Sequence, residues 1–260
     1  VPQFIQQTIE GSIATIRLNR PDVHNAFNEV MIAELTQAFA DVGTRSDLRA
    51  VILAAQGKSF CAGADLGWMQ KMVRYSREEN IADAGALAAM LRTVRDCPKP
   101  TIARVHGAVY GGGLGLVAAC DLAVATSNVK FCLSEVKLGI APAVIAPFLL
   151  ARMSPGAVRQ FALTAEIFDA NQAARLGLIN DVVADNADLD AWVVARVAAL
   201  NTAGPAALAA CKALLTQIDG LNRREAERIT IETIADLRAS AEGQQGLTAF
   251  LEKRKPGWLM

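Results

Sequence analysis

Histidine is almost missing from this chain, at two of 260 residues, and aromatic side chains make up only 5%. Neither His24 nor His106 has a Cys, Asp or Glu near it at ligand spacing, so a histidine-based metal centre lacks its donors. A G-x-S-x-G elbow is also missing, which removes the turn that exposes a nucleophilic serine. Net charge is absent as well: 26 Lys and Arg balance 26 Asp and Glu, and the pI is about 6.9. Such a chain has no positive field with which to hold a polyanion, so nucleic acid is excluded as its main partner. No CxxC pair occurs. The five cysteines, Cys61, Cys97, Cys120, Cys132 and Cys211, are odd in number and sit among apolar neighbours, and they read as buried thiols of a reducing compartment. Every apolar run is broken by Gly, Pro or charge before membrane-spanning length, and residues 1–7 lack the basic-then-apolar start of a leader. The expectation is a cytoplasmic protein with no membrane and no metal.

What is present is ample core material, 52% hydrophobic residues, in a length near the ~250 to 300 residues at which single cores stop growing. Residues 4–9 and 13–18 alternate around Glu10-Gly11-Ser12 and read as a hairpin. From Asn28, a candidate N-cap, the positions Met31, Leu35, Ala38 and Val42 recur at helical spacing. Residues 50–54 form an unbroken β-branched run of the kind buried on both faces of a sheet. A second helix spans 77–96 with Ile81, Ala84, Ala88, Leu91 and Val94 inward, and a strand follows at 101–105. Gly111-Gly112-Gly113 then opens an apolar helix ending near Cys120, and residues 121–125 and 129–133 repeat the strand signal. Strands alternating with helices give an α/β class. From Ala141 onward strand signals fade, and helices at 206–215, 223–238 and 244–253 close the chain. No sequence-level repeat is visible.

Two phosphate motifs are suggested and then lost. Gly57-Lys58-Ser59 resembles a P-loop, but the glycine required five positions earlier is Ile52. Gly113-x-Gly115-x-x-Ala118 with Glu135 downstream fits the loose dinucleotide spacing. Its preceding strand ends several residues too early, however, and Glu135 leads into Lys137-Leu138-Gly139-Ile140 rather than a nucleotide crossover. His106 reads as a loop residue satisfied by backbone. What remains are two glycine-marked turns, Phe60-Cys61-Ala62-Gly63-Ala64-Asp65-Leu66 and Gly111-Gly112-Gly113. Each presents an unpaired backbone N–H, the second at a helix N-terminus where the dipole adds positive potential. Either turn alone is explained by glycine permitting a tight bend; together they form two halves of an oxyanion hole.

The order of these motifs resembles the crotonase, or enoyl-CoA hydratase/isomerase, superfamily. The resemblance spans the chain: Leu18-Asn19-Arg20-Pro21 with Asn25-Ala26, Phe60 to Asp65, Lys99-Pro100, Gly107 to Gly113, Cys120-Asp121, Ser134-Glu135, Gly177-Leu178 and Phe250 to Arg254. It implies a crotonase-like spiral of strand-strand-helix turns over residues 1–200. It also implies a helical trimerisation region over 201–260, in a homo-trimer or a hexamer built as a dimer of trimers. The implied partner is an acyl-CoA thioester, with no separate cofactor because coenzyme A is part of the substrate. Its carbonyl oxygen would sit between the N–H groups of Ala64 and Gly112, with Glu135 as general acid/base. Ala62, Asp65, Leu66 and Gly111, together with Phe250 and Lys253 of a neighbouring subunit, would contact substrate or CoA.

One departure stands out. Hydratases of this family carry a first glutamate after the triple glycine, and Gly115 occupies that position. Candidates for the missing acid are Asp83 or Glu79 from the second helix, or a carboxylate on the substrate itself. Trp68-Met69, Tyr75-Ser76, Glu79-Asn80 and residues 133–142 resemble the bacterial methylglutaconyl-CoA hydratase group. The leading expectation is therefore hydration of a branched or carboxylated enoyl-CoA, as in leucine breakdown. Alternatives are a Δ3-Δ2 enoyl-CoA isomerase using one glutamate and a non-catalytic acyl-CoA-binding scaffold. Residues 67–80 are expected to form a pocket-lining helix.

Overall fold

The computed structural model describes residues 2–259. Its strands are β1 (Ile5–Glu10), β2 (Ile13–Leu18), β3 (Ala50–Ala55), β4 (Thr101–Val105), β5 (Ala108–Tyr110), β6 (Leu122–Thr126), β7 (Lys130–Cys132), β8 (Phe168–Asp169) and β9 (Asp181–Val183). The expected hairpin forms, with β1 antiparallel to β2 from Ile5 opposite Leu18 to Glu10 opposite Ile13. Alternation along β2 buries Ala14, Ile16 and Leu18 on one face, the signature of a half-covered strand. Beyond it the main sheet runs parallel, in the order β1-β2-β3-β4-β6-β9. A three-stranded sheet holds β5-β7-β8.

The two sheets are wound together. β4 enters the large sheet and β5 the small one, and β6 and β7 repeat the step. Before them, Cys61 bridges to Val109 and Phe27 to Ala64, so the segments after β3 and β2 take the equivalent second place. This is the strand-strand-helix spiral the sequence led us to expect, a repeat of backbone course without a repeat of residues. The helical reading beyond Ala141 needs correction, because β8 and β9 lie there. At two and three residues they are too short to show a period. β7 is also shorter than residues 129–133.

The helices are α1 (Glu29–Thr44), α2 (Leu66–Met72), α3 (Arg77–Asp96), α4 (Gly112–Ala119), α5 (Ala146–Leu150), α6 (Pro155–Thr164), α7 (Ala170–Arg175), α8 (Asn186–Asn201), α9 (Pro205–Ile218), α10 (Arg223–Ala239) and α11 (Ala241–Leu251). Asn28 caps α1 by accepting from the Met31 N–H at 2.9 Å, and Met31, Leu35, Ala38 and Val42 are buried as expected. α3 has the expected bounds, but its buried residues are Met90, Leu91 and Val94 in its second half, whereas Ile81 is 55% exposed. The single helix expected over 67–80 is broken. α2 ends at Met72, and Ser76 restarts the chain with a capping box to Glu79, which satisfies the free N–H groups of the new helix.

Core side chains include Phe27, Phe39, Phe60, Phe131 and Phe168, all at 1% exposure or less. Four cysteines are buried, but Cys211 is exposed. The last three helices differ from the rest: α9 and α10 bury no residue and α11 only Ala249. Polar contacts tie them to the core and to one another. Lys212 Nζ meets Asp121 Oδ2 at 2.7 Å, and the Glu242 carboxylate accepts from the Ala206 and Ala207 N–H groups at 3.0 and 2.8 Å. Among the described residues no single helix is long and apolar enough to cross a membrane.

Candidate active site

The turn after β3 is fixed by its backbone. The Cys61 N–H donates to the Ala108 carbonyl at 3.1 Å and the Tyr110 N–H to the Cys61 carbonyl at 2.8 Å, which sews the turn to β5. On its other side the Ala62 N–H reaches the His24 carbonyl, the Phe27 N–H the Gly63 carbonyl, and the Asp65 N–H the Phe27 carbonyl. Among the described residues the Ala64 N–H is left without such a partner. Gly63 allows this at φ +92°, a conformation that other residues rarely adopt.

The second turn leaves β5 with Gly111 at φ +50°, its N–H held by the Cys132 carbonyl at 3.0 Å. Gly112 is the first residue of α4, so its N–H has no intrahelical acceptor and points along the positive end of the helix dipole. The two turns and Glu135 meet at Gly111. A Cβ built there would stand 3.8 Å from the Gly63 Cα and 3.1 Å from Glu135 Oε1.

Glu135 begins a short 3₁₀ turn, Glu135–Leu138, rather than trailing from a strand. Its Oε2 is buried with no hydrogen-bond partner. Burial pushes its pKa above the usual carboxylate value, and a backbone hydrogen bond offsets part of the rise. Ala62, Ala64, Gly111, Gly112 and Glu135 border one cavity of about 350 Å³. Its far wall is apolar, built from Met69, Met72, Leu87, Val144 and Ile145.

The other residues singled out from the sequence divide. Asp83 lies on the cavity wall, and its Oδ1 accepts from Trp68 Nε1 at 2.9 Å. Burial pushes its pKa up, while the indole hydrogen bond pulls the other way. Glu79 is spent on the capping box of α3 and is absent from the lining. Asp65 caps α2 through the Trp68 N–H at 3.1 Å and pairs with Arg20 at 2.9 Å. Burial opposes ionisation there, yet the Trp68 N–H and the Arg20 guanidinium hold its carboxyl below the usual range. Leu66, 77% exposed, starts α2 outside the lining, and Phe250 and Lys253 lie on or just after α11, also outside it. Gly115 is buried, and a Cβ on it runs into Ile145 Cγ2 and comes within 3.2 Å of Leu91 Cδ1. A glutamate there has no room. His106 meets its expectation only in part: Nε2 lies 2.9 Å from the Gly57 carbonyl, but Nδ1 is buried with no hydrogen-bond partner.

Sequence reasoning gave no role to Trp68 or Ile145. The Asp65-x-x-Trp68 cap was a readable sign that Trp68 is fixed at a helix start, but nothing in the sequence paired its indole with Asp83. Two uncommitted N–H donors and an acidic carboxyl on one cavity can hold a carbonyl oxygen as charge develops on it and move a proton at the adjoining carbon.

Comparison with known proteins bears on this arrangement. Residues 8–259 match the model of the family described as enoyl-CoA hydratase/isomerase. An enoyl-CoA hydratase structure from Shewanella pealeana is 43% identical, with a TM-score of 0.95 over 99% of this chain and 96% of that one. A putative enoyl-CoA hydratase of Thermus thermophilus is 32% identical over 96% of this chain and 98% of its own length. A crotonyl-CoA hydratase of Syntrophomonas wolfei is 33% identical over 96% and 95%.

Proposed function

The chain belongs to the enoyl-CoA hydratase/isomerase family, and from that premise we propose that it adds water across the double bond of a 2-enoyl-CoA thioester. The Ala64 and Gly112 N–H groups hold the thioester oxygen as it takes on enolate charge, and loss of one such donor typically costs about 3 to 4 kcal/mol. Because both donors are backbone groups on pinned turns, they need no reorganisation as the charge appears. Glu135 transfers the proton at the α-carbon, and burial, which raises its pKa above the usual carboxylate value, favours the proton-carrying form. The observation that carries this reading is the convergence at Gly111 of the Gly63 turn and a Glu135 oxygen, 3.8 and 3.1 Å from one point. Crotonyl-CoA hydration by the wild type, lost in Glu135→Gln with ester binding within a few-fold, is the expected result. An inert wild type that still binds the ester supports the scaffold reading instead.

The lining speaks to the acyl chain. Apart from Asp83 and Glu135 it carries no charged side chain among the described residues, so a branched apolar chain fits more readily than a carboxylated one. A 3-methylglutaconyl ester would meet two carboxyl groups and no cation, and like charges raise the cost of its ionised form. Measuring kcat/KM for crotonyl-CoA, a branched enoyl-CoA and 3-methylglutaconyl-CoA orders the three. The Δ3-Δ2 isomerase reading rests on Gly115, whose closed surroundings leave Glu135 as the one carboxyl on the α4 side.

We take residues 201–260 as an oligomerisation region attached to a 1–200 core. Leu215, Ile231, Ile234, Leu247, Phe250 and Leu251 are all at least 45% exposed on α9–α11, more apolar surface than one chain covers. A trimer, or a dimer of trimers, would cover it and bring Phe250 and Lys253 to a neighbour's CoA. A monomeric mass by light scattering across concentrations would reject it.

A further inference from the structure

Hydration handles two protons, one leaving water and one arriving at the α-carbon, so a single carboxyl leaves the step half-equipped. The position from which the family's other glutamate would come is closed by Ile145 and Leu91. Among the described residues lining the cavity, the titratable side chains are two, Glu135 and Asp83. They reach it from different elements, Glu135 from the 3₁₀ turn after β7 and Asp83 from the first half of α3.

We propose, resting on the hydratase reading above, that Asp83 held by Trp68 is the base that takes the proton from the attacking water. The geometry favours Asp83 over a bystander role. Trp68 is 5% exposed and capped in place by Asp65, so its indole N–H fixes one carboxylate oxygen and leaves the other free. The indole bond steadies the ionised form, the form a base requires, while burial keeps its proton affinity above that of a free aspartate. The charged group bearing on Asp83 is Glu29 of α1, itself paired with Lys71 of α2, and Glu135 lines the same cavity from the 3₁₀ turn.

The step balances without any further reactant. Water oxygen bonds to the β-carbon, and its released proton goes to Asp83. The double-bond electron pair moves toward the thioester oxygen and returns to form a C–H bond at the α-carbon with the proton of Glu135. The pair resets when the proton on Asp83 passes to Glu135 through solvent.

The experiment separates Asp83 from Glu135 by reading two reactions. Asp83→Asn should lower hydration of crotonyl-CoA by ~10²-fold or more, while α-proton exchange of butyryl-CoA in D₂O, which needs only Glu135 and the two N–H donors, stays within about three-fold. Asp83→Glu should recover part of the hydration, because it restores a carboxylate. Trp68→Phe should move the acidic limb of the hydration pH profile upward, since removing the indole donor raises the Asp83 pKa. Hydration by Asp83→Asn at the wild-type rate overturns the proposal, as does an equal fall of hydration and exchange, which marks a structural role. A wild type that exchanges or isomerises but hydrates no enoyl ester removes the hydratase reading and this one together. Normal hydration in Asp83→Asn removes this one alone.

Discussion

The cavity has two walls of different make. On one side the N–H groups of Cys61, Tyr110, Phe27 and Gly111 donate to the Ala108, Cys61, Gly63 and Cys132 carbonyls at 2.7 to 3.1 Å, and the residues of α4 from Gly113 to Ala119 are all buried. On the other, α2 and the first half of α3 are held by side chains: the Trp68 indole on Asp83 at 2.9 Å and the ion pair of Lys71 with Glu29. Val73 between these helices is 87% exposed and Ile81 55%. Groups that meet developing charge must not move, and a parallel-sheet backbone supplies that rigidity. Groups that fit an acyl chain, such as Met69, Met72 and Leu87, need only shape, which side chains can change one at a time without disturbing the donors; Asp83 is the exception on this wall, and Trp68 fixes it.

The first way to break this comparison is at its most rigid point. Glu135→Gln should lower hydration by ~10²-fold or more, because the proton carrier is gone. It should also stabilise the fold at high pH. A carboxyl whose folded pKa is raised favours folding below its unfolded value and loses that contribution as pH rises through the folded one. The variant's melting temperature should therefore exceed wild type at pH 8 by ~2 to 4 °C, if about 1 kcal/mol is relieved, and match it near pH 4. Equal melting curves at pH 8 would remove the claim that Glu135 ionises at a cost.

Gly111→Ala should come next. The residue sits at φ +50°, and a Cβ meets Glu135 Oε1 at 3.1 Å, so both the donor turn and the carboxyl are pushed. Strain at that φ together with a shift of a few tenths of an ångström at Glu135 should lower hydration by up to ~10²-fold, and kcat should fall more than KM rises. Gly115→Glu tests the same wall by stability. A carboxylate there would stand where hydratases of the family carry one, but its Cβ runs into Ile145 Cγ2 and comes within 3.2 Å of Leu91 Cδ1. Overpacking and a buried charge should destabilise the variant by several kcal/mol, read in urea unfolding, with no gain in turnover. The smallest effect belongs to the adaptable wall. Leu87→Ala should shift the kcat/KM ratio of longer to shorter acyl chains by ~10-fold, within the ~1 to 3 kcal/mol that apolar pocket contacts supply, and leave Glu135-dependent proton exchange unchanged.

Much of the rigid wall was legible in the sequence, since glycine at Gly63 and Gly111 is required by backbone geometry and leaves a mark in one letter. The capping of α1 by Asn28 and the bounds of α3 were legible for the same local reason. Less of the other wall was. The break at residues 73–76 was signalled by Ser76-x-x-Glu79, yet helical periodicity placed Ile81 inward, because period reports which residues share a face and not which face has a partner. The short strands β8 and β9 left no pattern at all.

By itself the sequence determined the α/β class, the order of motifs and the two glycine-marked turns, all of which depend on residues close together along the chain, while Glu135 was singled out only through the family resemblance. Only the tertiary structure decided which acid stands beside them. Asp83 and Glu79 are four residues apart on one helix; Ser76-x-x-Glu79 marks Glu79 as a cap, but nothing along the chain places Asp83 on the cavity. One meets the indole of Trp68 on the cavity wall, and the other turns back to cap its own helix. The closure of the Gly115 site was decided in the same way, by Ile145 arriving from 30 positions along the chain. Steric exclusion between distant segments exists only once the chain is folded, and no local pattern encodes it.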